Sequence, residues 1–165
     1  MSVTRDILSS YYRPRSVVAR LGGGPRREAR ALVYLMIACA MFFVAQWPVL
    51  SRRAHFDESI PLEGMMAGAL FGWIFIAPLA FYGLGGVLTL ALKLVRRTID
   101  GGEVRLALFW ALLVASPLAL LHGLTTGMIG TGPATVLTFV LLVAVFLGVL
   151  VAGLRVALEA ARLRA

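Results

Sequence analysis

Three things are scarce in this 165-residue chain, and each scarcity removes a class of protein. Cysteine occurs once, as Cys39, so no intrachain disulfide can form and a structural metal site built on thiolates is excluded. Histidine occurs twice, as His55 and His122, and only His122 lies in an apolar run, so haem held between two histidines at one depth has no second ligand. Acidic residues number eight with glutamate and aspartate together, and none falls inside a long apolar run. Ion-driven transporters normally carry a carboxylate at mid-membrane depth, and this chain has none to offer. A phosphate-binding loop and a lipidation motif are also missing from the sequence. No cofactor is therefore expected.

What the chain has in abundance is apolar length. Hydrophobic residues make up 60% of it and the mean hydropathy is +0.89, values that belong to polytopic membrane proteins. The longest run, 65–95, carries no charge before Lys93; as a helix it would reach about 46 Å, more than the roughly 30 Å of a bilayer's hydrocarbon core. Other runs occupy about 31–50, 104–124 and 134–154. The expected fold class is all-α, an integral membrane four-helix bundle with the 65–95 segment as its organising element. A single membrane domain would cover 25–165, preceded by a basic segment, 1–24.

That N-terminal segment alternates apolar pairs with arginine. Val17, Val18 and Leu21 share a helical face, Pro14 is placed as a first helical residue, and Gly22 as the stop. The reading is an amphipathic helix lying on the membrane surface, with a disordered basic tail as the competing one. Seven arginines and no continuous apolar region occupy the first thirty residues, so the first apolar run is expected to act as an uncleaved anchor.

Polar residues within the runs are few enough to take singly. Gln46, Ser116 and His122 are the candidate intramembrane contacts, read as hydrogen-bonding glue between helices. Ser116 and His122, six residues apart, point about 120° away from each other on a helix, which speaks against a nucleophile and base pair. Gly64, Gly68 and Gly72 repeat every four residues, and Gly148 lies with Ala144 and Ala152 on another small-residue face; both patterns suit close helix approach. Pro78, Pro117 and the loosening glycines Gly83, Gly85 and Gly86 predict kinks. His55, Asp57 and Glu58 share the first polar loop, where such side chains are ordinarily solvated and no metal is expected.

Orientation follows from the cations. Fourteen of the sixteen Lys and Arg residues lie in the N-terminal segment, the link between the second and third runs, and the tail, which places both termini in the cytoplasm. Arg13, Arg15, Arg20, Arg26, Arg27, Arg30, Lys93, Arg96, Arg97 and Arg105 are then candidate contacts for anionic lipid headgroups. The formal charge of +8 is explained by that face, and no nucleic-acid partner is expected. A second copy of the chain or other membrane proteins remain the other partner classes.

Several motifs carry a resemblance. Arg13-Pro14-Arg15, the stretch Arg27-Glu28-Ala29-Arg30-Ala31-Leu32, the run Phe43-Val44-Ala45-Gln46-Trp47-Pro48, the run Gly68-Ala69-Leu70-Phe71-Gly72-Trp73, and Leu106-Ala107-Leu108-Phe109-Trp110-Ala111-Leu112 leading to Leu121-His122-Gly123 resemble small proteobacterial membrane proteins of the Yip1 family. The resemblance implies a helical membrane domain in a bacterial inner membrane, related to eukaryotic proteins that act in vesicle traffic and engage prenylated GTPases. The chain has four apolar runs where the family usually has five spans, and it lacks the Asp-Leu-Tyr-Gly-Pro type of motif of the eukaryotic members. The expected role is non-enzymatic: structural, lipid-organising or assembly. The alternative is a small transporter or channel acting as an oligomer.

Overall fold

The computed structural model describes residues 3–22, 27–57, 59–94 and 99–162. Among these the chain is helical, with no strand. Two short helices, α1 (Val3–Tyr12) and α2 (Pro14–Leu21), precede α3 (Arg27–Phe56). A second long helix is built from α4 (Leu62–Phe71), a π-helical turn (Gly72–Ile76) and α5 (Ala77–Leu94). Then come α6 (Gly101–Ile129) and α7 (Pro133–Arg162). α3, the composite helix Leu62–Leu94, α6 and α7 are each long and apolar enough to cross a membrane, and each contains one of the expected runs, except that Val95 of the 65–95 run lies outside the described residues.

The centre of the molecule is α6, not the 65–95 segment. From Gly102 to Ser116 almost every side chain of α6 is buried, with Val104, Phe109, Trp110, Val114 and Ala115 at zero exposure. α3 and α7 lie along it on either side. The composite helix is peripheral: none of α4 or the π turn is buried, and in α5 only Gly85 and Thr89 are. Its lack of charge describes what its outer surface meets, and does not make it the core.

What lets α6 take neighbours so closely is a row of small residues. Ala107, Ala111, Ala115, Ala119, Gly123 and Gly127 recur every four positions. Because four residues advance about 400° around an α-helix, such a row drifts about 40° per step and wraps the helix. At its start Ala107 faces α7, where a Cβ added to Gly153 would stand 2.8 Å from the Ala107 Cβ. At its end Gly123 and Gly127 face α3, where an added Cβ would overlap the Ala45 backbone and Pro48 respectively. Ala31, Ala38 and Ala45, seven residues apart, supply buried small positions on α3. Aromatic rings fill the space nearer the basic end: Tyr34 meets Trp110 edge-on at 5.0 Å, and Tyr82 meets Phe109 at 5.0 Å.

Two expectations need correcting. Gly68 and Gly72 have no atom within 4 Å of where a Cβ would stand, and Gly64 has only Ile60 and Pro61 of its own turn. Gly148 is equally open. These repeats look the same in sequence as the row on α6, but no other described helix comes within 4 Å of where a Cβ would stand on them. The break in the second long helix is also displaced. α5 runs unbroken through Gly83, Gly85, Gly86 and past Pro78; the irregularity is the π turn before it, where the Ala77 N–H reaches the Gly72 carbonyl, five residues back. Widening that turn moves carbonyls away from the Pro78 ring, which has no N–H and would crowd the carbonyl four residues earlier.

Pro117 is accommodated differently. Its missing N–H orphans the Leu113 carbonyl, and the Ser116 hydroxyl donates to that carbonyl at 2.8 Å while lying 3.0 Å from the Met41 sulfur. At the far end of the bundle, Arg52 reaches the carbonyls of Gly127 and Met128 at 3.5 Å, positive charge at the C-terminus of α6, with the Phe56 ring 5.1 Å beneath the guanidinium. Gly130, at φ 86°, makes the turn that follows.

Substituting alanine at Gly123 or Gly127 should cost about 1–3 kcal/mol, because backbone must move to admit the methyl group. The same change at Gly68 or Gly72 should lie within about 0.5 kcal/mol of neutral or stabilise slightly. Heating the detergent-solubilised variants and following the folded fraction by size-exclusion chromatography separates the two pairs.

Candidate functional site

The basic end of the bundle holds most of the polar side chains that sequence analysis singled out, and its most unusual part is the N-terminal segment. Pro14 disfavours helical backbone at Arg13, so the helix stops at Tyr12 and restarts: Arg13 has φ −140° and ψ 59°, and Pro14 is the first residue of α2. The two arms fold back as a hairpin, with Arg20 of α2 paired to Asp6 of α1. Pro14 and Gly22 thus act as start and stop in the way the sequence suggests.

The hairpin does not float beside the bundle. Val17, Val18 and Leu21, the stripe assigned above to the lipid surface, are buried against the long helices. Val18 approaches Gly153 of α7 across the space a Cβ would take. On the α1 arm Ser10 has no exposure; its hydroxyl donates to the Asp6 carbonyl at 2.8 Å and accepts from the Trp110 indole N–H at 3.0 Å. Tyr11 OH donates to the Val114 carbonyl at 2.9 Å. A buried indole N–H with no acceptor is costly, so Trp110 and Ser10 hold each other in place. Sequence reasoning missed this pair. The available signal was a serine inside the apolar stripe of a short helix.

These contacts set how far the hairpin reaches along the bundle. Charge ends at Arg105 on α6 and resumes at Arg155 on α7. Val114 is roughly 12 Å beyond Leu106, and Gly148, which lines a cavity with Tyr11 and Pro14, is roughly 10 Å short of Arg155. The tip of the hairpin therefore lies about 10 Å inside the apolar zone of the long helices.

Around the hairpin the cations are largely engaged by the chain itself. Arg15 reaches Glu159 of α7 at 2.5 Å. Arg27 of α3 pairs with Asp100 and, at 3.3 Å, with Glu103, whose side chain is almost fully covered. Arg105 of α6 pairs with Glu28 of α3. Asp100 also accepts from the Gly102 N–H at 3.0 Å, capping α6. Arg15, Arg20, Arg27 and Arg105, read from the sequence as lipid contacts, each also hold a carboxylate of their own chain, and the three interhelical pairs tie α2 to α7 and α3 to α6. Lys93 and Arg13 are exposed and pair with no described carboxylate, and Arg30 is half-buried. Arg26, Arg96 and Arg97 lie outside the described residues, as does Glu58.

The three polar residues proposed for the apolar interior stay apart. Ser116 turns to α3. His122 Nδ1 lies 3.1 Å from Thr138 Oγ1 of α7, and Thr125 Oγ1 lies 3.1 Å from the same oxygen. Gln46 is half-buried and its side chain bonds no described residue. In the polar loop His55 packs on the Phe56 ring at 5.3 Å, and Asp57 accepts from the Ser59 N–H at 3.0 Å; the Ser59 hydroxyl first, and then that N–H, hold its carboxyl below the usual range.

No known protein family, no curated protein and no solved structure matches the chain.

Replacing Ser10 with alanine leaves the Trp110 N–H without its acceptor and should cost about 1–3 kcal/mol of hairpin docking. Amide hydrogen exchange should then rise across α1 and α2 and stay unchanged across α6.

Proposed function

We propose that the chain is a non-enzymatic, multi-pass protein of a bacterial inner membrane, with both termini in the cytoplasm, whose role is structural: it organises anionic lipid against its cytoplasmic end and offers its outer helix faces to other membrane proteins or to a second copy. The observation that carries this reading is the one-sided charge. Fourteen of the sixteen cations belong to three chain segments, and ion pairs from Arg15 to Glu159, Arg27 to Asp100 and Arg105 to Glu28 gather those segments at the same end of the four long helices. Cytoplasmic loops retain Lys and Arg in this way, and the cytoplasmic leaflet supplies anionic headgroups for them.

The wide apolar exterior fits the same reading. Leu79 is 76% exposed and Phe75 64%, and large side chains along α7, such as Val136 and Leu137, are similarly open, as side chains facing lipid tails would be. The likeness to Yip1 proteins, which rests on the hydrophobic motifs, fits a helical membrane domain and adds no activity.

Topology is the direct test. Cys39 is buried, so one introduced cysteine can be read alone. In intact cells an impermeant maleimide should label Arg53→Cys and should label Lys93→Cys only after the membrane is opened. The reverse pattern, or equal labelling of both before opening, overturns the proposed insertion.

A further inference from the structure

The hairpin has an outer side as well as the one docked on the bundle. There, a groove of ≈ 330 Å³ is lined by Ser9, Tyr12, Arg13, Ser16, Val17 and Arg20. Its chemistry is one-sided: two guanidinium groups and three hydroxyls, with no carboxylate in the lining. Asp6, on the same hairpin, is already held by Arg20, and Glu159 by Arg15. Arg13 pairs with no described carboxylate. The first turn of α2 adds to this, because no side chain caps it. The Ser16 hydroxyl donates to the Arg13 carbonyl at 2.9 Å instead, leaving N–H groups of that turn open.

Depth sharpens the problem that these donors pose. With the chain inserted as proposed above, on which this inference rests, the tip of the hairpin sits about 10 Å below the level where charge ends on α6 and α7. An arginine there is expensive unless it is paired with an anion or draws polar groups inward. A phosphate oxyanion meets each demand at once: it carries negative charge for Arg13, accepts from several hydroxyls, and suits an uncapped helix N-terminus. No residue of the long helices lines the groove.

We infer that the groove between α1 and α2 is a phosphate-binding site that takes the headgroup phosphate of an anionic phospholipid drawn below the plane of its neighbours. Arg13 is its principal cation, Arg20 flanks it while holding Asp6, and Ser9 and Tyr12 contribute hydroxyls. The hairpin is thereby a lipid clamp, and the bilayer thins locally around it.

Native mass spectrometry of the full chain, released from nanodiscs containing phosphatidylglycerol and phosphatidylcholine, reads the site. The wild type should retain one phosphatidylglycerol with about ten-fold preference, the worth of one charge-assisted hydrogen bond. Arg13→Gln should reduce that to about two-fold or less. Ser9→Leu, which keeps all charge and fills the groove, should do the same, and Arg13→Lys should recover part of it. Both positions are exposed, so the hairpin keeps its docked face. Retained preference in Arg13→Gln and Ser9→Leu overturns the site. A second arm adds millimolar inorganic phosphate: undiminished lipid retention supports the lipid as the source, and displacement of the lipid with phosphate bound in its place assigns the same site to free phosphate. If neither lipid nor phosphate prefers wild type over Arg13→Gln, the inference fails. Cysteine labelling at Arg53→Cys and Lys93→Cys is scored on the same preparations, so a failed site with correct topology leaves the insertion standing, and inverted labelling removes both.

Discussion

Close approach of three helices is the constraint on which this fold depends. Where the apolar surface faces lipid, little hydrophobic driving force remains to bring helices together, and packing must come from atoms in contact. The row from Ala107 to Gly127 meets that need, since it removes side chains along a path that turns from α7 toward α3 as α6 rises. Gly153 on α7 and Ala45 on α3 complete the two contacts from the other side. Every other element is arranged by what this leaves over: the composite helix Leu62–Leu94 leans on the edge, and the hairpin covers the seam that α6 and α7 form at the basic end.

Once α6 is central, its polar atoms set further conditions. Trp110 is fully buried, so its indole N–H needs an acceptor, and none of the long helices supplies one; Ser10 of the hairpin does. Pro117 frees a carbonyl, which the neighbouring Ser116 hydroxyl satisfies, while the open carbonyls at the end of α6 meet Arg52. Thus the serine that a catalytic reading would choose is already spent on a proline defect. His122 is likewise engaged with Thr138 across the α6 to α7 contact.

Element existence was legible from the chain alone, because uncharged runs of about twenty residues have few alternatives to helix. The four runs fall within Arg27–Phe56, Leu62–Leu94, Gly101–Ile129 and Pro133–Arg162, apart from Val95, which lies outside the described residues. Pro14 and Gly22 were legible too, since each acts through its own backbone. Packing was not. Gly68 and Gly72 share the four-residue spacing of Gly123 and Gly127, and spacing says only that a close approach is permitted, not which helix arrives. The stripe of Val17, Val18 and Leu21 looks identical whether protein or lipid covers it. In a soluble protein, burial would sort such faces by hydropathy; in a chain apolar on nearly every face, that signal is flat.

Charge shows the opposite pattern, with its total legible and its use hidden. A count of Lys and Arg treats all fourteen cations at the basic end as equivalent, yet Arg15, Arg20, Arg27 and Arg105 are spent on carboxylates of the same chain. Arg20 meets Asp6 only 14 positions back, across the Pro14 break, but the pairs of Arg15, Arg27 and Arg105 form only after folding brings residues 73 to 144 positions apart into contact, so no local window reveals those three. The remainder matters more than the sum. Exposed ion pairs contribute little to stability one by one, but they fix which cations are left to face the membrane. Arg13 is among those left, and it stands where the hairpin goes deepest, at a proline-enforced break whose own helix start is uncapped. Among the described residues, Arg15, Arg20, Arg27 and Arg105 each hold a carboxylate of the chain, while Arg13 at the tip holds none.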